Sequence, residues 1–403
     1  MTTKSQDGSE AWGYVEVRPK AHMFWWLYRS PYRVENPSKP WPIILWLQGG
    51  PGASGVGIGN FQEIGPLDTS LKPRNSTWLK KADLLFVDNP VGTGYSFVES
   101  DDLFVKTDEE AATDLTTLLI AIFNKDERLQ KSPLFIVAES YGGKFAVTLG
   151  LSAFKAIEEK RLKLIIGENR IALRIKQQLK DGKFVDATNS WTELEGVISF
   201  SSNNVDFYNL LLDYGSDPLS SLAMKPRLFR EISQNRYSKY LSSKRLMSYS
   251  PGGKVDLSEL LNGPIKKKLK IIPKNVTWGG QSGRVFYVLG GDFMKPRINE
   301  VDELLVKGIN VTVYNGQVDL ICATKGTEAW IRKLEWEGLK TFLGKDKTPL
   351  YCGNEQDTKG FYRSHKNLEF YWILGAGHFV PVDQPCVTLD MVAAITHSPA
   401  TQK

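Results

Sequence analysis

The sequence predicts an α/β protein: a mostly parallel central sheet, helices packed on it, and a helical cap inserted before the last strands. Three observations predict this. Residues 42–47, 84–87 and 134–138 are short, unbroken apolar runs, as expected of strands buried on both faces of a parallel sheet. Each stops at a turn rich in Gly, Pro or Ser and is followed, directly or later, by a helical pattern. Between about 161 and 294 this rhythm lapses: Lys and Asn rise and serine clusters appear, before core-type strands resume. The organisation expected is a first core part at 1–166, a helical cap at 167–295 and a second core part at 296–403. A chain of 403 residues, 41% hydrophobic and 24% charged, can bury a core of that size.

In chain order, residues 11–17 and 23–28 alternate well enough for two strands of an opening meander. The run 42–47 leads straight into Gln48-Gly49-Gly50-Pro51-Gly52-Ala53-Ser54-Gly55, a loop whose backbone N–H groups can point into a cavity. The strand at 83–88 ends in a second loop of glycines and proline, 89–96. A helix over 107–123 is marked by Ala111, Leu115, Leu118, Leu119 and Ile122 on one face, with Asp108, Glu109 and Glu110 in the first turn. The run 134–138 then meets Glu139-Ser140-Tyr141-Gly142-Gly143, followed by helix formers from 143 to 159. This is the strand, sharp turn, helix pattern of a nucleophile elbow. In the cap, helical stretches are expected at 172–179, 186–194 and 258–261. A helix at 301–307, strands at 308–314 and 370–374, and a final helix at 385–394 complete the core.

Composition bounds the function. The net charge of +6 is dispersed, and its densest run, Lys266-Lys267-Lys268-Leu269-Lys270, suits a solvated helix face better than a nucleic-acid patch. No apolar run approaches the ~18 residues of a membrane span. Residues 1–11 are polar and lack the basic and apolar regions of a secretory signal, which points to the cytosol. Three sequons, at Asn75, Asn275 and Asn310, point the other way. The three cysteines, Cys322, Cys352 and Cys386, allow one internal disulfide, and no pair has metal-ligand spacing. No cofactor or metal is expected.

Three residues stand just past strand ends, in the order Ser140, Asp319, His378. Of the four histidines, only His378 lies in a glycine-rich turn after a strand; His22 is in an early strand, His365 in a charged loop, His397 in the tail. Ser-Asp-His is the order of the α/β-hydrolase fold. Serine is a poor nucleophile until a base takes its proton, a role for His378, and Asp319 would orient the imidazole. The loop 48–55 lacks the Lys of a phosphate cradle, and an oxyanion hole built from the amides of Gly50 and Tyr141 fits it better.

The stretches 45–52, 88–96, 139–144 and 375–381 together resemble the serine carboxypeptidases, most closely the plant serine carboxypeptidase-like branch similar to the retinoid-inducible enzyme. The resemblance implies removal of C-terminal residues through an acyl-enzyme. It also implies that Gln48, Gly49, Glu63 and Glu139 hold the substrate carboxylate, with the two acids sharing a proton so that binding favours acidic pH. Gln48 replaces the usual Asn, and Ala53 stands where many relatives have a disulfide cysteine. Relatives carry a core strand after the elbow helix; here a few dozen residues are missing, and 162–166 is expected to supply a truncated substitute. The resemblance further implies secretion or delivery to a vacuole or lysosome, and a peptide or small acyl substrate. Two rivals remain: an acyltransferase of the same class, and a truncated, inactive relative with a binding role.

Overall fold

The computed structural model describes residues 2–34, 40–166, 205–211, 256–353 and 355–400, with Phe184, Val185, Thr188 and Trp191. Strands β1 (Thr2–Lys4), β2 (Glu10–Arg18) and β3 (Ala21–Tyr28) form the opening meander. They are followed by β4 (Ile43–Leu47), β5 (Asp83–Val87) and the short β6 (Phe97–Val98), which pairs with β3. β7 (Pro133–Ala138) and β8 (Ile165–Ile166) complete a sheet of order β1-β2-β3-β5-β4-β7-β8. The parallel part is one side, β5-β4-β7-β8; the meander side is antiparallel, so the sheet is mixed.

Every residue of β4 and β5 is buried, as their unbroken apolar runs require. In β4, Ile43, Leu45 and Leu47 enter one apolar cluster and Ile44 and Trp46 the other, on the opposite face. Helices α1 (Asp108–Phe123) and α3 (Gly142–Glu158) cover the first face, with the short α2 (Glu127–Gln130) between them in the chain. Thr107 caps α1 by accepting the Glu110 N–H, and three acids in the first turn complement the helix dipole.

The sheet is interrupted where the sequence loses its strand. β8 pairs in parallel with Pro133 and Leu134 alone. Beyond them β7 has no strand on that side among the described residues. The strands that follow form a separate sheet of order β10-β11-β12-β9: β9 (Val311–Gly316), β10 (Thr348–Leu350), β11 (Gly360–His365) and β12 (Leu368–Ile373). Packing crosses the break on both faces. Leu134 and Ile136 share one cluster with Val311, Val313 and Phe370, and Phe135 shares the other with Tyr371, Ile373 and Met391. The C-terminal helix Pro385–Thr396 closes the seam, leaving a cavity of ≈ 20 Å³ beside Ile136, Thr312 and Val392. One polar bond also spans it: Tyr314 Oη donates to the Ala138 carbonyl at 3.2 Å.

Several expectations are corrected. β9 starts at Val311 rather than 308, because the preceding helix Ile298–Val306 ends on Gly308 with a φ of 77° and the chain needs two more residues to enter the sheet. His365 ends strand β11 instead of lying in a charged loop; its antiparallel pairing with Leu368 makes the charged stretch one arm of a hairpin. Residues 2–4 form an edge strand the polar N-terminus did not announce. The helix expected at 258–261 is Leu257–Leu260. The one at 172–179 lies outside the described residues, as does 186–194 apart from Thr188 and Trp191. Lys266–Leu269 is helical, with Leu269 buried and Lys267 and Lys268 exposed. Cys352 and Cys386 form the disulfide, leaving Cys322 free.

Candidate active site

Ser140 is the second residue after β7 and the second before α3, and its backbone takes φ 57°, a left-handed conformation unfavourable for a residue with a side chain. The elbow is crowded from the side of the glycine-rich loop. A Cβ on Gly49 would lie 2.7 Å from Ser140 Cβ and 2.8 Å from both the Glu139 carbonyl and the Tyr141 nitrogen. One on Gly142 would lie 2.3 Å from the Leu47 carbonyl. Glycine at these points lets the loop after β4 press its backbone against the start of α3. Gly50, with φ 103°, continues that loop, where a Cβ would lie 2.8 Å from the Gln281 side-chain amide.

The loops after β9 and β12 bring the acid and base together. His378 Nδ1 lies 2.9 Å from Asp319 Oδ2, and both side chains are buried. A carboxylate has no proton to give, so Nδ1 donates and Nε2 is left as the accepting nitrogen. Asp319 Oδ1 is held by the Cys322 N–H at 2.8 Å, so both carboxylate oxygens are engaged. Burial alone would lower the imidazole pKa, but the charge and hydrogen bond of Asp319 outweigh it and raise it well above the usual range. Ser140 Oγ makes no hydrogen bond to the ring among the described residues.

Beside the nucleophile lies a second acidic pair. Glu63, on a wide π-type helix (Gly55–Ile64), and Glu139 are 1% and 4% exposed. Both carboxyls are pushed up, first by burial; Glu139, raised well above its usual value, also meets the charge of Glu63. Each acid is the other's side-chain hydrogen-bond partner, which requires a proton between them, and Glu63 also meets Gln48. Gln48 is fully occupied: its Oε1 accepts from Trp46 Nε1 and its Nε2 donates to Glu139 Oε1, each at 2.7 Å. The arm one methylene longer than Asn therefore reaches the acid pair and orients Glu139.

Sequence reasoning missed what supports Tyr141. Its hydroxyl donates to Asp108 Oδ1 at 2.8 Å, and Phe293 stacks on its ring at 5.4 Å. Lys144 Nζ lies 3.2 Å from Asp108 and 3.6 Å from Asp292, while Arg297 bonds both acids at 3.1 and 3.0 Å. Two buried cations thus balance two buried carboxylates against the first turn of α3. Asp292 and Arg297 lie more than 140 residues from Lys144, and no local pattern marks them. Of the sequons, Asn75 and Asn275 are exposed, whereas Asn310 is half-buried at the start of β9.

The comparisons with known proteins agree with this geometry. The serine carboxypeptidase family profile matches residues 1–165 and 155–398, its two stretches meeting at the connection from α3 to β8. The chain is 58% identical to serine carboxypeptidase-like 51 of Arabidopsis thaliana, across 98% of this chain and 94% of that one. It is 40% identical to the retinoid-inducible serine carboxypeptidase of Mus musculus, across 98% and 92%. The first alignment spans 432 positions, more than the 403 residues present, so the relative carries residues without a counterpart here. The fold is similar to that of a prohormone-processing carboxypeptidase from Saccharomyces cerevisiae, with a TM-score of 0.69 at 18% identity, over 96% of this chain and 91% of that one.

Proposed function

This chain belongs to the serine carboxypeptidase family and is a serine-type hydrolase of the α/β class, and from that premise we propose that Ser140, His378 and Asp319 are the triad with which it releases C-terminal residues from peptides. The observation that carries the reading is the buried acid pair, Glu63 and Glu139, hydrogen-bonded carboxyl to carboxyl beside Ser140 in the chain. A general esterase has no use for two desolvated acids there. A carboxypeptidase does, because a pair holding one proton can donate to the carboxylate of the last residue. Gly49 lines that end of the site and Gln48 holds Glu139 in place.

The chemistry follows from the placement. Ser140 Oγ attacks the scissile carbonyl carbon and its proton passes to His378 Nε2. The carbonyl oxygen, now an alkoxide, accepts the Gly50 and Tyr141 amides, each such donor contributing about 3–4 kcal/mol to the transition state. His378 hands the proton to the departing amine and the C–N bond breaks, leaving an ester on Ser140. Water, deprotonated by His378, attacks that ester and releases the shortened peptide. Asp319 stabilises the imidazolium at each turn.

A disulfide and two exposed sequons go with secretion or delivery to a vacuole or lysosome, where glycosylation at Asn75 and Asn275, and less readily Asn310, is expected. Residues 167–295 are read as the cap between the two core parts. No described helix is long and apolar enough to cross a membrane. The test has two steps. A fluorophosphonate should label the chain and fail to label Ser140→Ala. Mass analysis of a peptide mixture at about pH 5 should then show stepwise C-terminal loss from free-acid peptides and none from their amides. Acyl transfer to an alcohol without peptide shortening would overturn the peptidase reading, and an unlabelled parent chain would overturn the triad.

A further inference from the structure

Residues 205–211 lie across both loops that carry the acid and the base. The Phe207 carbonyl accepts the N–H groups of Leu320 and Ile321 at 3.1 and 3.0 Å, the two residues after Asp319. The Leu210 N–H donates to the carbonyl of Val318, the residue before it, at 2.9 Å. The Tyr208 carbonyl accepts the N–H of His378 itself at 2.7 Å. One short segment therefore holds the main chain on both sides of Asp319 and at His378.

Side chains reinforce the attachment. Asp206 Oδ1 accepts the N–H groups of Tyr208 and Asn209 at 2.8 and 3.3 Å, closing a turn. Asn209 Nδ2 donates at 3.2 Å to Asp383 Oδ2, which also accepts the Gly377 N–H at 2.8 Å. The Tyr208 ring stands edge-on to the imidazole, with centroids 5.1 Å apart, and stacks on Phe379 at 5.5 Å. The fit at Gly377 admits nothing larger: a Cβ there would lie 2.3 Å from the Tyr208 carbonyl oxygen.

We propose that residues 205–211 act as a strap that sets the Asp319–His378 pair, with Tyr208 a positioning residue whose edge-on ring fixes the plane of the imidazole. The need for it follows from the interrupted sheet. Among the described residues the strands bearing Asp319 and His378 share no ladder with the strand bearing Ser140, so no described sheet pairing aligns their loops to it. A segment that grips both loops through main-chain bonds supplies alignment that two independent loops would lack. The inference rests on the triad reading given above.

The experiment uses the full chain with Tyr208→Leu, which keeps bulk and removes the ring, Tyr208→Phe, and Asn209→Ala, which severs the bond to Asp383. Two readouts are taken: steady-state peptide hydrolysis, and the low-field proton resonance of His378 Nδ1 shared with Asp319. Tyr208→Leu should lower kcat about 10- to 100-fold with KM altered by less than about 2-fold, and should shift or broaden the resonance. Tyr208→Phe should restore both, and Asn209→Ala should move both in the same direction as Tyr208→Leu. An unchanged kcat and resonance in both Tyr208→Leu and Asn209→Ala would overturn the strap. So would a raised KM with kcat and resonance intact, which would make Tyr208 a substrate contact. If Tyr208→Leu does not fold, Asn209→Ala decides by the same readouts. Failure of the underlying reading is distinct: the parent chain would then leave fluorophosphonate unreacted.

Discussion

Glu139 directly precedes Ser140, the proposed nucleophile, and its carboxyl is buried against that of Glu63. Burial raises both groups, so the pair keeps a proton to higher pH than free glutamates do. That proton is what a peptide carboxylate needs, so affinity is present below the raised pKa values and lost as pH climbs through them. KM for free-acid peptides should therefore rise with pH, while KM for ester substrates lacking a carboxylate stays flat. Glu139→Ala should raise KM for free-acid peptides at acidic pH by about 10- to 100-fold, the worth of one hydrogen bond to a charged group. Initial-rate kinetics over a pH series check both statements, and a pH-independent KM in the parent would refute the pair's role. Gln48 belongs to the same scale: its identity was readable, but that its amide is spent on Trp46 and Glu139 was not.

Between elements, the loop after β4 and the first turn of α3 meet through Gly49. Gly49→Ala places a methyl against Ser140 Cβ and the Tyr141 nitrogen, within 2.8 Å of each, and neither backbone can retreat. It should abolish fluorophosphonate labelling, while Gly263→Ala, whose methyl meets nothing within 4 Å, labels normally. The other junction is the buried cluster of Lys144, Arg297, Asp108 and Asp292, which joins α3, the start of α1 and the N-terminal end of the helix Ile298–Val306. Lys144→Met leaves two buried carboxylates facing one cation. A loss of about 3–5 kcal/mol in denaturant unfolding is expected, and a loss under about 1 kcal/mol would mean the cation is dispensable. The elbow and the loop were legible because each is a contiguous run with its own glycine requirement. The cluster was not, since a Lys on an amphipathic helix looks the same whether it faces water or two distant aspartates.

Across the whole molecule, proton linkage has one dominant sign near neutrality. Asp88, buried and only partly compensated by Ser54 and the amides of Tyr95 and Val56, is raised from 3.8 to about 6. Glu63, Glu139 and His378 are raised as well. A group whose pKa is higher folded than unfolded adds stability that is complete below its unfolded pKa and is lost as pH rises through the folded one. At Glu109, bonds from Arg297 overcome the effect of burial and bring the pKa down to about 2, so its contribution is lost only at lower pH. Thermal unfolding should therefore occur at a higher temperature near pH 5 than at pH 7, by the same linkage. A flat or rising profile over that interval would contradict the assignment. Such a profile suits an acidic compartment.

The residues alone determined the strand runs, the elbow at Ser140, the glycine loop and the order Ser140, Asp319, His378. These rest on periodicity and backbone geometry, which neighbouring residues encode by themselves. The shortened strand was expected at 162–166 from the family resemblance, since relatives carry a core strand there, and it is confined to Ile165–Ile166. Only the tertiary structure decided that the described strands form two ladders, that Tyr314 bridges them, that Cys352 pairs with Cys386, and that Tyr208 lies against His378. Each of these is a contact between chain segments far apart in sequence. Such contacts are chosen by how whole faces pack, and packing leaves no signature in the residues on either side of one position.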